Sequence, residues 1–263
     1  MNRSLFFSTY KRSLRMFAIF TVLLALYLLS IITMFSGEDN DPFAMLPDAM
    51  REAFGIEAAA GGLTFFLATG FYGITFVLFM MIYCVIVANQ FISQLVDRGS
   101  MAYLLSTPVS RKKVALTQAS VLIVHLFLMT LFTTLIGLLM SPVLLDDAPL
   151  DVPAFIRINI AGFLLFLVMS GYSFLLSCLC NDSKQTLAAS GLVTVLFYGI
   201  HIVSNMSDNW EWLRNFTILS AFQPAGIAAG TFEMLPAALT LGATGVVLYG
   251  LAVWIFSRRD LPL

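Results

Sequence analysis

The sequence MFAIFTVLLALYLLSIITMF, residues 16–35, carries no charged side chain and no proline or glycine. An α-helix rises about 1.5 Å per residue, so about 20 apolar residues cross the roughly 30 Å hydrocarbon core of a bilayer. This stretch meets that requirement by itself. It predicts a transmembrane helix, so the rest of the chain is expected to belong to a membrane protein.

Five further apolar runs follow, and none has Asp, Glu, Lys or Arg in its middle: 70–92, 116–140, 155–178, 187–204 and 237–256. The whole chain is 59% hydrophobic and 11% charged. Soluble domains carry about 25% charged residues, and the mean hydropathy of +0.91 lies far on the apolar side. The sequence therefore predicts an all-α integral membrane protein, with six transmembrane helices in one transmembrane domain spanning residues 1–263.

The positions of the basic residues predict the orientation of these helices. With the N-terminus inside, the inner segments hold most of the 14 Lys and Arg residues. Only Arg51, Arg157 and Arg214 then lie outside. Cytoplasmic loops carry an excess of Lys and Arg, because positively charged loops are poorly translocated. We therefore expect a multi-pass protein of the plasma or inner membrane, with both termini in the cytoplasm.

Two connecting segments differ from ordinary loops. Residues 1–15 alternate apolar and basic residues, which predicts an amphipathic interfacial helix before the first span. The sequence ILSAFQPAGIAAG, residues 218–230, is apolar but too short to cross, and it contains a proline and two glycines. Irregular backbone at membrane depth has to be surrounded by protein or by a water-filled cavity. We therefore predict a re-entrant segment before the last span.

The sequence lacks the arrangements that carry catalysis or bind metals. It contains neither H-E-x-x-H nor G-x-S-x-G, and it has no G-x-x-x-x-G-K-[ST] loop to hold nucleotide phosphates. His125 and His201 lie on different spans, without a Cys or carboxylate nearby in sequence. Each histidine could contact a proton or a substrate, but a packed imidazole with a backbone or Ser/Thr partner is the more favoured interpretation. We therefore expect no enzymatic activity, no cofactor and no metal site in this chain.

The most informative segment is the inner connection between the second and third spans, within SQLVDRGSMAYLLSTPVSRKKVALTQ, residues 93–118. Helical spacing places Met101, Leu104 and Leu105 on one apolar face. Thr107 could cap the following helix, with Pro108 at its first position. Two interpretations fit this pattern. The segment is either a basic turn that only enforces topology, or a helix that docks on a cytoplasmic protein.

The stretch DRGSMAYLLSTPVSRKKVALTQ, residues 97–118, resembles the signature of type-2 ATP-binding-cassette (ABC) permeases, the exporter family with separate membrane subunits. The ending FSRRDLPL, residues 256–263, also looks like the ending of that family, and the six-span plan is similar. The resemblance therefore covers nearly the whole chain.

The resemblance implies that this chain is the permease subunit of an ATP-driven exporter. It implies three partners: a separate ATPase, a second permease chain that is identical or related, and the lipid bilayer, with no nucleic acid. The inner connection becomes the coupling helix that contacts the ATPase. The implied coupling residues are Asp97, Arg98, Gly99, Met101, Leu104, Leu105, Thr107, Pro108 and Arg111.

Two other classes of function remain open at this stage. The chain could be a carrier or channel that works alone. Intramembrane charges and internal repeats are common in secondary transporters, however, and this sequence has no intramembrane charge and no obvious internal repeat. It could also be a membrane scaffold or sensor that docks a partner without transport. An ATPase gene beside this one would favour the exporter over a self-sufficient carrier, and substrate-stimulated ATP hydrolysis would favour it over a scaffold.

Overall fold

The computed structural model of the protein describes residues 3–35, 62–106, 109–145, 150–206 and 208–259. Within these ranges the chain is almost entirely helical and forms no β-strand. Six helices are long and apolar enough to cross a membrane: α1 (Arg3–Met34), α2 (Gly62–Asp97), α4 (Arg111–Leu144), α5 (Val152–Leu179), α6 (Ser183–Met206) and α8 (Met234–Arg258). Two short helices, α3 (Ser100–Leu105) and α7 (Pro224–Ala228), lie between them. The predicted all-α membrane fold with six spans is confirmed.

The helices extend beyond the apolar runs into polar residues, and side-chain caps mark the positions where α4 and α5 begin. At the start of α4 the Ser110 side chain accepts a hydrogen bond from the backbone N–H of Lys113, at 3.4 Å. At the start of α5 the Asp151 carboxylate accepts one from Ala154 N–H, at 3.1 Å. Both are N-cap interactions that satisfy amides left free in the first turn.

The N-terminal segment is not a separate helix in this structure. Residues 3–34 form one continuous α-helix of 32 residues, about 48 Å long. No glycine or proline occurs within it, so nothing in the sequence breaks the helix between the basic segment and the first span. The expected interfacial helix is therefore the N-terminal part of α1.

Helix α2 departs from regular α-helical geometry at two places. Residues Ala68–Thr75 form a π-helical stretch, and the backbone leaves the helical region at Ile92, with φ of −122°. The π-helical stretch carries the buried Tyr72, whose hydroxyl donates to the Asn159 side-chain oxygen on α5, at 3.0 Å. Irregular turns of this kind are tolerated in a transmembrane helix where neighbouring helices pack around them and hydrogen-bond the backbone groups left unpaired.

Helices α5 and α8 pack closely, because small residues lie in the contact. A Cβ atom added to Gly245 would approach Leu167 Cγ to 2.8 Å, and one added to Gly171 would approach Leu248 Cβ to 3.1 Å. The Tyr249 hydroxyl also donates to Ser170 Oγ across this contact, at 2.7 Å. Small residues and interhelical hydrogen bonds are the usual means of helix association in lipid.

The segment between α6 and α8 turns back along α6. It consists of two 3₁₀ helices, Asp208–Phe216 and Ile218–Ala221, followed by α7. The Thr217 hydroxyl donates to the Phe197 carbonyl, at 2.9 Å, and Phe197 lies about 14 Å back from the end of α6 at Met206. The buried Phe222 then packs beside Gly162 of α5. The segment therefore packs against α5 and α6, and its re-entry into the membrane stays a prediction.

Candidate functional site

The inner connection, residues 97–111, is the short turn that joins α2 to α4. Gly99 is the N-cap residue of α3, and its φ of +68° lies in the left-handed region that glycine adopts without steric cost. Within α3 the Met101 side chain is fully buried. Leu104 and Leu105 are half-buried against the same hydrophobic core. The apolar face of α3 therefore packs on the protein's own helices.

The face of this connection that points away from the protein carries different residues. Asp97, Arg98 and Gly99 are exposed. Tyr103 is 81% exposed, more than any other large hydrophobic side chain among the described residues. Helical spacing does not single out Tyr103, because it finds an apolar face without telling whether the chain itself or a partner covers that face. An aromatic residue beside that face was the available signal.

Two of the implied coupling residues, Thr107 and Pro108, lie outside the described residues. The structure begins α4 at Arg111, with Ser110 as the N-cap residue, rather than at Pro108. The sequence therefore placed the start of this helix three residues too early.

Buried hydroxyl groups hold the end of α2 just before the inner connection. The backbone N–H of Ser93 donates to Ser177 Oγ on α5, at 3.0 Å, and the Thr186 hydroxyl of α6 donates to Ser93 Oγ, at 2.7 Å. All three residues have zero exposure. The last turn of α2 is thus linked to α5 and α6.

Arginines hold the other end of the inner connection. The Arg111 guanidinium donates to the backbone carbonyl of Arg259, just past α8. The Arg259 side chain donates to the Cys178 carbonyl, at 2.7 Å, and to the Asn181 side-chain oxygen, at 2.5 Å. A cation at the last carbonyls of α5 is favourable, because that helix end carries a partial negative charge. Both ends of the inner connection are therefore coupled to the long helices.

His125 lies in a buried aromatic cluster between α1, α2 and α4. Its Nδ1 atom is 2.8 Å from the Tyr83 hydroxyl, and its ring centroid is 5.1 Å from that of Tyr10 and 5.0 Å from that of Phe17. The side chain has no exposed surface. His125 is therefore a packed imidazole, as expected, but its hydrogen-bond partner is a tyrosine on α2 and not the expected backbone, Ser or Thr group.

His201 lines a cavity of about 240 Å³ between α6, the π-helical stretch of α2 and the segment that turns back. Thr69, Tyr198, Arg214 and Gln223 also line it. The His201 Nε2 atom lies 3.4 Å from the Asn205 side-chain nitrogen, and its Nδ1 atom has no hydrogen-bond partner within the described residues. Polar side chains therefore line this cavity on several sides.

The family model described as ABC-2 family transporter protein matches residues 8–261, so the chain belongs to this family. It is a multi-pass membrane protein and a transmembrane subunit of an ABC transporter. Members of the family are in general non-catalytic membrane subunits that work with an ATPase subunit. A search of curated proteins finds no match.

Proposed function

We propose that this chain is the permease subunit of an ATP-driven exporter, and that a separate ATPase docks on the inner connection. The observation that carries the proposal is the geometry of α3. Its apolar face anchors it to the long helices, while Tyr103 and the charged pair Asp97 and Arg98 point outward. An exposed aromatic residue flanked by charges is a common composition for a protein-binding surface.

The hydrogen bonds at both ends of the inner connection support a mechanical role. A push on α3 reaches α5 and α6 through Ser93, and it reaches α5 and α8 through Arg111 and Arg259. ATP binding closes the ATPase pair and presses on α3. The long helices then tilt and change the side of the membrane from which the cargo path is open.

A second permease chain completes the transporter in this proposal, with an identical or related sequence. Helix α6 supports it, because only 17% of the residues in its most apolar window are buried, the lowest share among the six spans. Leu192, Val195 and Leu196 are more than half exposed on this helix. A disulfide between copies of a Val195→Cys variant, in a chain free of its three native cysteines, would support pairing through α6. Its absence in the assembled complex would exclude this face.

The inner connection lies on the cytoplasmic side in this proposal. The distribution of Lys and Arg supports that orientation. In whole cells an impermeant thiol reagent is expected to label a cysteine introduced at Trp210 and to spare one introduced at Ser106. Labelling of the Ser106 position before the membrane is opened would refute the orientation.

Co-purification tests the proposed function most directly. The chain is expressed with the ATPase encoded beside it, extracted in mild detergent and passed over a sizing column. Co-elution in equal numbers supports the permease assignment. Elution of the chain alone would favour a self-sufficient carrier or a scaffold, and the inner connection would then serve topology only.

Transport separates the permease from a docking scaffold. In inside-out vesicles that contain the complex, an exporter takes up cargo when ATP is added outside, and cargo stimulates ATP hydrolysis. A complex that assembles but shows no cargo-stimulated hydrolysis would favour the scaffold. ATP-driven loss of cargo preloaded into these vesicles would instead indicate import.

A further inference from the structure

A groove between α4 and α8 lies beside the inner connection. The basic residues at the start of α4 and at the end of α8 lie at this end of the groove. It has a volume of about 400 Å³, and its lining residues are Lys112, Leu116, Ala119, Ser120, Ile123, Tyr249, Gly250, Val253, Trp254 and Ser257. Pockets that bind small molecules commonly fall in the range of about 300–1,000 Å³. The groove is therefore large enough for part of a lipid molecule.

The groove is amphipathic along its length. Lys112 lies at the end near the inner connection, whereas Leu116, Ile123 and Val253 line the part that extends toward the membrane centre. The Arg258 guanidinium lies 4.7 Å from the centroid of the Trp254 ring, which brings a second cation to the same end. A tryptophan at this level is typical of the boundary between lipid headgroups and acyl chains.

The charges at this end are available to a ligand. Lys112 and Arg258 are exposed, and within the described residues neither forms an ion pair with a carboxylate. Among the described residues no Asp or Glu lines the groove, and Asp260 lies outside them. The three hydroxyl groups of the lining already have acceptors. Ser120 and Ser257 donate to the carbonyls of Leu116 and Trp254, and the Tyr249 hydroxyl donates to Ser170 Oγ. The lining therefore offers positive charge and apolar surface, with little other hydrogen-bonding capacity.

We propose that this groove binds one anionic phospholipid, with the headgroup at Lys112 and Arg258 and an acyl chain along Gly250 and Ile123. Basic pockets between membrane helices attract anionic headgroups for this electrostatic reason. A second copy of the chain fits less well, because a two-fold contact would bring the same two cations of each copy together. The proposal is independent of the exporter assignment, and the proposed orientation determines only that the lipid comes from the cytoplasmic leaflet.

Trp254 provides a direct reporter of occupancy. The chain has three tryptophans, and the variant with Trp210→Phe and Trp212→Phe retains Trp254 alone. This variant is placed in phosphatidylcholine nanodiscs that contain a minor fraction of brominated lipid, either phosphatidylglycerol or phosphatidylcholine, with bromine near the headgroup end of one acyl chain. Bromine quenches tryptophan fluorescence only at short range, so quenching reports lipid in the groove.

Brominated phosphatidylglycerol is expected to quench at a much lower mole fraction than brominated phosphatidylcholine. Each basic residue that contacts the headgroup contributes about a fivefold preference for anionic lipid, so two contribute about 25-fold at low salt. Lys112→Ala should lower the preference about fivefold. The matched control is Lys113→Ala, which removes the same charge one position along the helix, outside the groove lining.

A second variant tests the acyl-chain part of the groove. Gly250 lines the groove, and a Cβ atom added there meets no atom within 4 Å, so Gly250→Leu adds its side chain to the groove. It should abolish the saturable quenching by phosphatidylglycerol while the sizing profile stays unchanged. Equal quenching by the two lipids, equal losses in Lys112→Ala and Lys113→Ala, or unchanged quenching in Gly250→Leu would each overturn the proposal.

Discussion

Replacing Tyr103 by alanine tests which face of α3 meets the ATPase. The side chain is 81% exposed and stands on a helix whose Met101 is fully buried. Tyr103→Ala therefore removes outward surface and leaves the anchoring of the helix intact. Met101→Ala does the opposite, since it removes packing against the core and leaves the outward surface in place.

The size of both effects follows from burial. A tyrosine buries about 150–250 Å² in an interface, and at about 25 cal/mol per Å² the exposed part of Tyr103 has an upper limit of about 3–5 kcal/mol. Interface hot spots usually lose at least about 2 kcal/mol on truncation. We expect a loss of about 2–3 kcal/mol, which is about 30- to 150-fold in Kd. For Met101→Ala we expect a loss of about 2–5 kcal/mol in folding stability.

The assay measures ATPase binding to the permease in nanodiscs, together with the thermal unfolding midpoint of the permease alone. Tyr103→Ala should weaken binding and leave the midpoint unchanged, whereas Tyr103→Phe, which keeps the ring, should bind almost normally. Met101→Ala should lower the midpoint. Normal ATPase binding by Tyr103→Ala, in a complex that still assembles through the inner connection, would refute the assignment of this face.

Two further predictions concern the contacts that hold the long helices. Gly245→Leu should destabilise the α5–α8 contact by about 1–3 kcal/mol and lower the thermal midpoint in detergent, because its side chain overlaps Leu167. The control Gly250→Ala should leave the midpoint unchanged, because the added atom meets open space. Equal midpoints for the two variants would contradict the close packing. Arg259→Ala should lower the midpoint and the ATPase stimulation of the complex, because it leaves the Cys178 carbonyl without its charged donor at a cost of about 1.5–3 kcal/mol. Arg259→Lys should recover part of both, and full stimulation in Arg259→Ala would exclude a coupling role for this link.

The sequence by itself determined the fold class and the number of spans. A span is encoded by about 20 consecutive apolar residues, and that information is local in the chain. The same stretches are helical in the structure, with ends displaced where a side chain such as Ser110 caps the helix. The sequence also located the inner connection, since basic residues and an apolar helical pattern coincide there.

Only the tertiary structure decided which side chains of that connection face outward. Helical spacing groups Met101 with Leu104 and Leu105, but their burial depends on the hydrophobic core against which they pack, and no local pattern encodes that contact. The link between Arg111 and Arg259 and the groove at Trp254 likewise join residues more than a hundred positions apart. The sequence thus fixes how many helices cross the membrane. The packing of those helices determines which surfaces remain exposed for the proposed partners.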